Sequence, residues 1–457
     1  MNKIDALFVA APSPFPSMIV AYAIQGMPPL GLGYMATYLR QHGYATEILD
    51  MALPSVSFSD LRSILLGNDV KIVGLSCTTE TYKTAMRLAE MVKELRSETI
   101  VVVGGPHVSF EYASALRHDS IDYVVPNEGE LAFKKLCDFA IRGIGEKESL
   151  RGIAYAEAGD IRKAPPMPFI EDLDSLPIPD RKLFGDLNRY ALAATVSTSR
   201  GCPGQCVFCS AGVLSGGKYR LRSAKNVIEE FAYLKSLGHN HIYVVDDTMT
   251  ADLSRLDSFL EGLISSELGV TWYCESRIDA VSKPMLDKMK KAGATSLQFG
   301  VEAGTQGTLD CIKKNIALGQ VYDVFDWCRD LGISAMTNMI VGLPGDSMSS
   351  LNETMKLAKE LTDKGSAVTF SVCTPFPGTP LWESPEKFGA EIVCDDLDFY
   401  TTSCPVMRTE HLTVQEIRNE YCRAVFEIGQ GRAGRISAKA GSAQDVLKFF
   451  PQHQNRA

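Results

Sequence analysis

The sequence has no run of about 18 apolar residues, the length that crosses a bilayer as a helix. Residues 1–10 carry too short an apolar stretch for a secretory signal. A cytoplasmic protein without a membrane span is therefore expected. Positive charge is also scarce: 46 lysines and arginines stand against 55 acidic residues, a net charge of −9. A nucleic-acid binder needs a basic face to displace counterions, so no nucleic-acid partner is expected. Internal repeats and low-complexity segments are absent. The composition, 45% hydrophobic and 22% charged over 457 residues, is that of a globular protein with room for two or three domains.

Twelve cysteines then need a reason. In a reducing compartment they read as buried thiols or metal ligands rather than disulfides. Most occur singly and should pack in cores. Cys373 and Cys404, with Trp382 and Tyr400, could border a substrate pocket, but core packing is the plainer expectation. Only Cys202, Cys206 and Cys209 cluster, in the run S-R-G-C-P-G-Q-C-V-F-C-S over residues 199–210. A loop of that spacing can wrap three thiolates round one face of an iron–sulfur cubane. The fourth iron then stays open to a reactant. A structural zinc site is the alternative, since thiolate suits both metals. It would need a fourth ligand, and His239, His241 and Cys274 show no paired spacing with the loop.

Strands and helices alternate from the start. Strands are expected at 6–10, 46–50, 71–76, 100–104 and 122–125, and helices at 28–43, 58–66, 82–95 and 131–142. This is the pattern of an α/β, doubly wound, Rossmann-like domain over residues 1–145, with ligands at the strand carboxyl ends. A proline-rich linker is expected at 146–190. Alternation resumes with strands at 195–199, 241–245, 270–274, 296–301, 334–340 and 367–372. Six such units suggest a partial (β/α)6 barrel over 191–380, active at the strand carboxyl ends. Residues 381–457 form a less regular C-terminal region, expected to cover the active site.

The C-x-x-x-C-x-x-C loop after the first barrel strand resembles the radical S-adenosylmethionine (SAM) superfamily. The resemblance covers about 195–380 and implies a [4Fe-4S] cluster on Cys202, Cys206 and Cys209, with SAM on the open iron. It implies SAM contacts from Phe208 in the loop and from Asp246 and Asp247 after the second strand, where the family holds the amino group. Arg277 would pair with the carboxylate, and Glu302, in the run G-V-E-A-G, with the ribose. Asn338, with Ile340 and Gly342 in the run I-V-G-L-P-G-D, would face adenine. Each is also readable in plain structural terms: Asp247 as a helix cap, Arg277 as a surface residue, Glu302 as a partner of a helix N-terminus.

A Rossmann-like domain ahead of such a barrel resembles the cobalamin-binding members of that family. The matching runs are P-P-L-G-L-G-Y (Leu30, Gly31), S-C-T-T (Ser76, Thr78), G-G-P-H (Gly104, Gly105, His107) and N-E-G-E (Asn127, Glu128, Gly129). A flat corrin on strand ends needs close backbone approach, which paired glycines permit. The nucleotide tail needs a crevice with hydroxyls such as Ser76 and Thr78. A nucleotide or flavin would suit a sheet of this kind too. No histidine lies in a D-x-H-x-x-G motif, so the resemblance implies cobalamin with no histidine on cobalt. Only Cys77 and Cys137 precede Cys202, too few for the second cluster of a tRNA methylthiotransferase.

The resemblance implies an enzyme that forms a 5′-deoxyadenosyl radical and methylates an unactivated carbon, or phosphorus, of a small biosynthetic intermediate from methylcobalamin. Its electron donor would be a flavodoxin or ferredoxin. A cobalamin-dependent radical cyclase, oxidase or rearranging enzyme would carry the same motifs. An inactive cobalamin sensor or carrier would have no need of the intact cysteine loop.

Overall fold

A computed structural model describes residues 2–15 and 26–428 of the chain. The chain divides into two compact units, with the boundary between Ala193 and Ala194.

The first unit is built on a seven-stranded sheet: β1 (Asn2–Ala10), β2 (Thr46–Asp50), β3 (Asn68–Ser76), β4 (Ile100–Gly104), β5 (Tyr123–Val125), β6 (Ala154–Glu157) and β7 (Asp160–Lys163), in the order β2-β1-β3-β4-β5-β6-β7. The first five run parallel. Their centres are apolar without alternation, as strands buried on both faces must be. Helix Tyr82–Leu95 buries Ala85, Leu88, Ala89 and Val92, a stripe at helical spacing, against the sheet.

The segment 146–190 departs from its expected role as a linker. β6 pairs antiparallel with β5 and closes a hairpin with β7, so it extends the sheet. The turn uses Ala158 (φ 51°) and Gly159 (φ 87°), consecutive positive-φ residues that suit a tight hairpin. Downstream, Ile170, Leu173 and Leu176 pack with Tyr34 of helix Leu30–Gln41. Phe184 sits against Gly33, where a Cβ would lie 2.4 Å from its ring. The prolines punctuate a packed strap, as a linker lying along a surface would be.

The second unit has six parallel strands: β8 (Thr195–Val196), β11 (His241–Val244), β12 (Thr271–Arg277), β13 (Ala294–Glu302), β14 (Ser334–Val341) and β15 (Ala367–Val372), side by side in sequence order. Two short pairs stand apart from them, β9 (Ser199–Arg200) with β10 (Arg220–Leu221) and β16 (Ala390–Ile392) with β17 (Met407–Thr409), both antiparallel. β8 and β15 do not pair, so the barrel is partial. Burial alternates along β12: Trp272, Cys274 and Ser276 are buried, while Tyr273, Glu275 and Arg277 are partly exposed. The buried parity faces the helices, as Phe259 against Trp272 and Phe325 against Phe299 show. The other parity forms the helix-free face.

The expected C-terminal region is described only to Ile428, and residues 429–457 lie outside the described residues. Helix Val414–Glu427 opens on a Thr413–Glu416 capping box. Its Ile417 packs on the turn after β14, where a Cβ on Gly342 would lie 2.9 Å away. Tyr400, Cys373 and Cys404 are buried, which bears out core packing for these three. Among the described residues no helix is long and apolar enough to cross a membrane.

Candidate functional site

The cysteine loop is shaped by the strand ends around it. The first barrel strand stops at Val196, short of the 199 expected. Asp246, beyond β11, accepts the backbone N–H of Thr198 at 2.6 Å and of Ser199 at 3.1 Å, and this draws the chain off the sheet. The Thr198 hydroxyl and the Arg255 guanidinium also reach the buried Asp246 carboxylate. That carboxylate organises the loop from beneath. Asp247 is the member of the pair on the open side, accepting from the Gly201 N–H. Gly201 has φ +93°, and a Cβ there would lie 2.2 Å from the Lys218 carbonyl oxygen.

The middle of the loop is anchored at Val207, which is fully buried. Its N–H donates to Ile312 at 3.1 Å, and its carbonyl accepts from Leu381 at 3.0 Å. Phe208 packs part-buried against the core beneath. This fixes the stems of Cys206 and Cys209. Gly204 donates its N–H to Cys202 Sγ at 3.3 Å, and a Cβ on it would approach both that sulfur and Arg277 Nη1.

Cys202 and Cys206 are half-buried and Cys209 is exposed. Among the described residues no three ligating side chains already close on one point. The donor set nevertheless fits a cluster. Burial pushes the Cys206 thiol up and holds Cys209 at about 11, so bare thiolates are disfavoured. Lys314 and Arg277 act in the opposite sense at Cys206. Iron would take the place of the thiol protons, with two cations beside it.

The other residues expected to contact SAM have partners of their own. Arg277 forms a fork on Asp279, two bonds of 2.9 Å, and donates to the Lys314 carbonyl at 2.8 Å. Glu302 ends β13 at φ +70°, next to a shift in its register with β14. Its buried carboxylate pairs with Lys314 Nζ at 2.7 Å. Gly300 makes room, since a Cβ there would be 2.5 Å from both charged atoms. Asn338 spends its amide on Ser371 and Thr369. Ile340 is buried, and the Gly342 N–H donates to Asp346 at 3.1 Å. Asp346 also accepts from the Leu343 N–H, with Ser350 and Thr308 near its other oxygen. Asp279, Lys314 and Asp346 are structural members of this rim that sequence reasoning missed. Asp346 closes a run already singled out, and its position four residues after Gly342 was the available signal.

In the first unit a crevice with about 360 Å³ of empty space lies along the sheet. Of the residues matched to cobalamin, Ser76, Gly104, Gly105, Asn127 and Gly129 line it. So do Leu32, Met35, Gly74, Val102 and Phe133, whose apolar character alone gave no sign of it. Gly105 (φ +105°) would bring a Cβ within 2.4 Å of the Cys77 carbonyl oxygen. A narrow slot floored by glycine backbone, with one hydroxyl and one amide at its rim, fits a flat heterocycle such as the nucleotide base of cobalamin.

The other matched residues lie off the crevice. Leu30 packs with the Tyr34 cluster, and Gly31 has nothing within 4 Å of a Cβ. Thr78 bonds to Thr81, and Glu128 accepts from the Ile170 N–H at 2.8 Å. His107 is buried, its ring tilted against Tyr82 with centroids 4.4 Å apart, and its Nδ1 lies 3.2 Å from the Thr79 hydroxyl. Burial lowers its pKa to about 4.

Comparison with known proteins identifies both domains. Residues 16–137 match the B12 binding domain and residues 196–358 the radical SAM superfamily. An uncharacterized methyltransferase of Pyrococcus horikoshii is 33% identical over 396 residues, 85% of each chain. The anaerobic magnesium-protoporphyrin IX monomethyl ester cyclase of Rubrivivax gelatinosus is 28% identical, over 85% of this chain and 71% of its own. The structure of the radical SAM methyltransferase TsrM from Kitasatospora setae, with cobalamin and a [4Fe-4S] cluster bound, superposes with a TM-score of 0.75 at 16% identity, over 92% of this chain and 85% of that one. The chain belongs to the cobalamin-binding radical SAM enzymes, and its cofactors are a [4Fe-4S] cluster, SAM and cobalamin.

Proposed function

We propose that this enzyme transfers a methyl group to an unactivated carbon, or phosphorus, of a small biosynthetic intermediate. The observation that carries the reading is the relative named a methyltransferase, 33% identical over 85% of each chain, together with a cysteine loop and a sheet crevice that both fit their cofactors. When bound, the cluster supplies the electron that cleaves SAM and the cobalamin supplies the methyl group.

The chain's own part is to bind and orient. Cys202, Cys206 and Cys209 would hold the cluster, with Arg277 and Lys314 offsetting its negative charge. Asp247, on the open side of its strand end, suits the SAM ammonium, and Arg277 suits its carboxylate through Nη1. Glu302, paired with Lys314, would meet the ribose. Asp246 and Asp346 position the loops. Ser76 and Asn127 would meet the nucleotide tail along Gly104, Gly105 and Gly129. The electron would come from a reduced flavodoxin or ferredoxin of the cytoplasm, and a net charge of −9 supports a small-molecule substrate over a nucleic acid.

A cyclase relative makes cyclisation the second reading. The anaerobically reconstituted protein, given candidate intermediates and SAM with a deuterated methyl group, separates them. Methyl transfer yields a deuterated product with one deoxyadenosine and one S-adenosylhomocysteine per turnover. A product without deuterium, or turnover without S-adenosylhomocysteine, refutes it.

A further inference from the structure

The helix-free face of the second unit carries a polar cluster that no cofactor contact above uses. Its register is set by the sheet: Tyr243 on β11 lies beside Tyr273 on β12, and Glu275 on β12 lies beside Gln298 on β13. Tyr273 and Glu275 are two residues apart and share the face. The two tyrosine rings stack with centroids 4.2 Å apart and planes 4° from parallel. That fixes the Tyr243 hydroxyl, which donates to Glu275 Oε1 at 3.0 Å.

Beyond this bond the cluster is incomplete. Among the described residues, the second Glu275 oxygen, the Tyr273 hydroxyl and the Gln298 amide have no hydrogen-bond partner, and all three side chains belong to only partly exposed residues. The charges around Glu275 are mostly of its own sign. Asp247 and Glu302 oppose its ionisation, and the nearby cation, Lys314, is committed to Glu302 at 2.7 Å. The Glu275 carboxylate has one neutral donor from the chain, and its second oxygen is open to a ligand. A cationic donor completes it, and an anion is repelled.

We propose that Glu275, Gln298 and Tyr273 seat a primary ammonium group of the substrate, an inference that rests on the methyl-transfer reading above. The ammonium has three N–H donors and no acceptor. The free Glu275 oxygen, the Gln298 carbonyl and the Tyr273 hydroxyl oxygen offer three acceptors from adjacent positions of two neighbouring strands, which run about 4.8 Å apart. The substrate class is therefore an amine-bearing intermediate, with the methylated atom on the side of the strand carboxyl ends, where Arg277 and the cysteine loop lie.

SAM also carries an ammonium, so the test must separate the two. The probes are n-butylammonium, n-butanol and butyrate, added to the reconstituted holoenzyme and read by ligand-observed saturation-transfer NMR. SAM affinity is measured in parallel by equilibrium dialysis, and iron and cobalamin contents confirm folding. n-Butylammonium is expected to bind and the other two probes not to. Glu275→Gln should weaken n-butylammonium at least tenfold while SAM affinity stays within twofold. Tyr243→Phe keeps the carboxylate and should leave n-butylammonium binding within threefold. Equal binding of butyrate, or no effect of Glu275→Gln, overturns the proposal. Loss of SAM binding in Glu275→Gln overturns it too, by assigning Glu275 to SAM. A wild-type enzyme that binds n-butylammonium but releases no deoxyadenosine would instead refute the functional reading while leaving the ammonium seat standing.

Discussion

Removing Lys314 tests how the rim of the SAM site is held. Its Nζ lies 2.7 Å from Glu302 Oε1, and the two side chains are 9% and 8% exposed. At that separation the attraction is about 6 kcal/mol for an effective dielectric constant of 20. Desolvation of both ions offsets most of it, so the pair adds little net stability compared with an apolar pair. Breaking it is a different matter. Lys314→Met keeps the volume but leaves Glu302 buried without its cation, a loss of about 3–5 kcal/mol. Replacing both residues, Lys314→Met with Glu302→Gln, removes both charges and should restore stability to within about 1–2 kcal/mol of wild type. Gly300→Ala should cost less than Lys314→Met, because its Cβ would lie 2.5 Å from the ends of two long side chains that can shift together. The assay is urea unfolding of cluster-free protein followed by tryptophan emission. Trp272, Trp327 and Trp382 are the chain's three tryptophans and all lie in the second unit, so the signal reports that unit alone. A Lys314→Met loss below about 1 kcal/mol would refute the buried-pair reasoning. So would a double variant whose loss equals the sum of the two singles.

Alanine at Cys202, Cys206 and Cys209 together should reduce iron from close to four atoms per chain to background, and unchanged iron would sink the cluster assignment. Ser76→Phe puts a ring into the crevice of the first unit, so cobalamin retention, read by absorbance, should fall at least tenfold while iron content holds. Arg277→Lys cannot reproduce the two-pronged bond to Asp279, the bond to the Lys314 carbonyl and a SAM contact together. The SAM concentration needed for deoxyadenosine release should rise by about 1.5–3 kcal/mol, roughly 10–150-fold, with cobalamin content unaltered. Because His107 is held on Tyr82 and Thr79, the Co(II) form should show no histidine-nitrogen splitting in its EPR spectrum. A splitting abolished by His107→Ala would overturn that assignment.

Much of this was legible in sequence because the information is local. β4 coincides with an apolar run ended by paired glycines, and helix Tyr82–Leu95 with an unbroken apolar stripe. The cysteine spacing and the paired glycines at 104–105 are local as well. Long-range pairing escaped. Nothing within residues 146–163 says that a hairpin of two four-residue strands adds to the sheet, because strands so short carry almost no periodic signal. Lys314 reaches Glu302 across twelve residues through a turn whose path is a tertiary fact. Likewise Phe133, far from the matched motifs, becomes a wall of the crevice only once the helix is docked.

The strand-end carboxylates show where sequence reading could have gone further. Ile242 and Val244 are apolar and face the helices, and a period of two carried past the strand end places Asp246 on their side and Asp247 on the other. The pair therefore divides its work by parity: one carboxylate is buried to hold the backbone of the cysteine loop, and its neighbour is left at the opening. The same parity puts Glu275 and Arg277 on one face of β12, with Gln298 and Gly300 beside them on β13. Ionisable and amide side chains at open-face positions on neighbouring strands are costly in a barrel unless something polar meets them. That cost is the ground for proposing this face of the second unit as a binding surface, whereas the buried Asp246 and Asp346, equally polar, are satisfied by the chain's own N–H and hydroxyl donors and hold the loops.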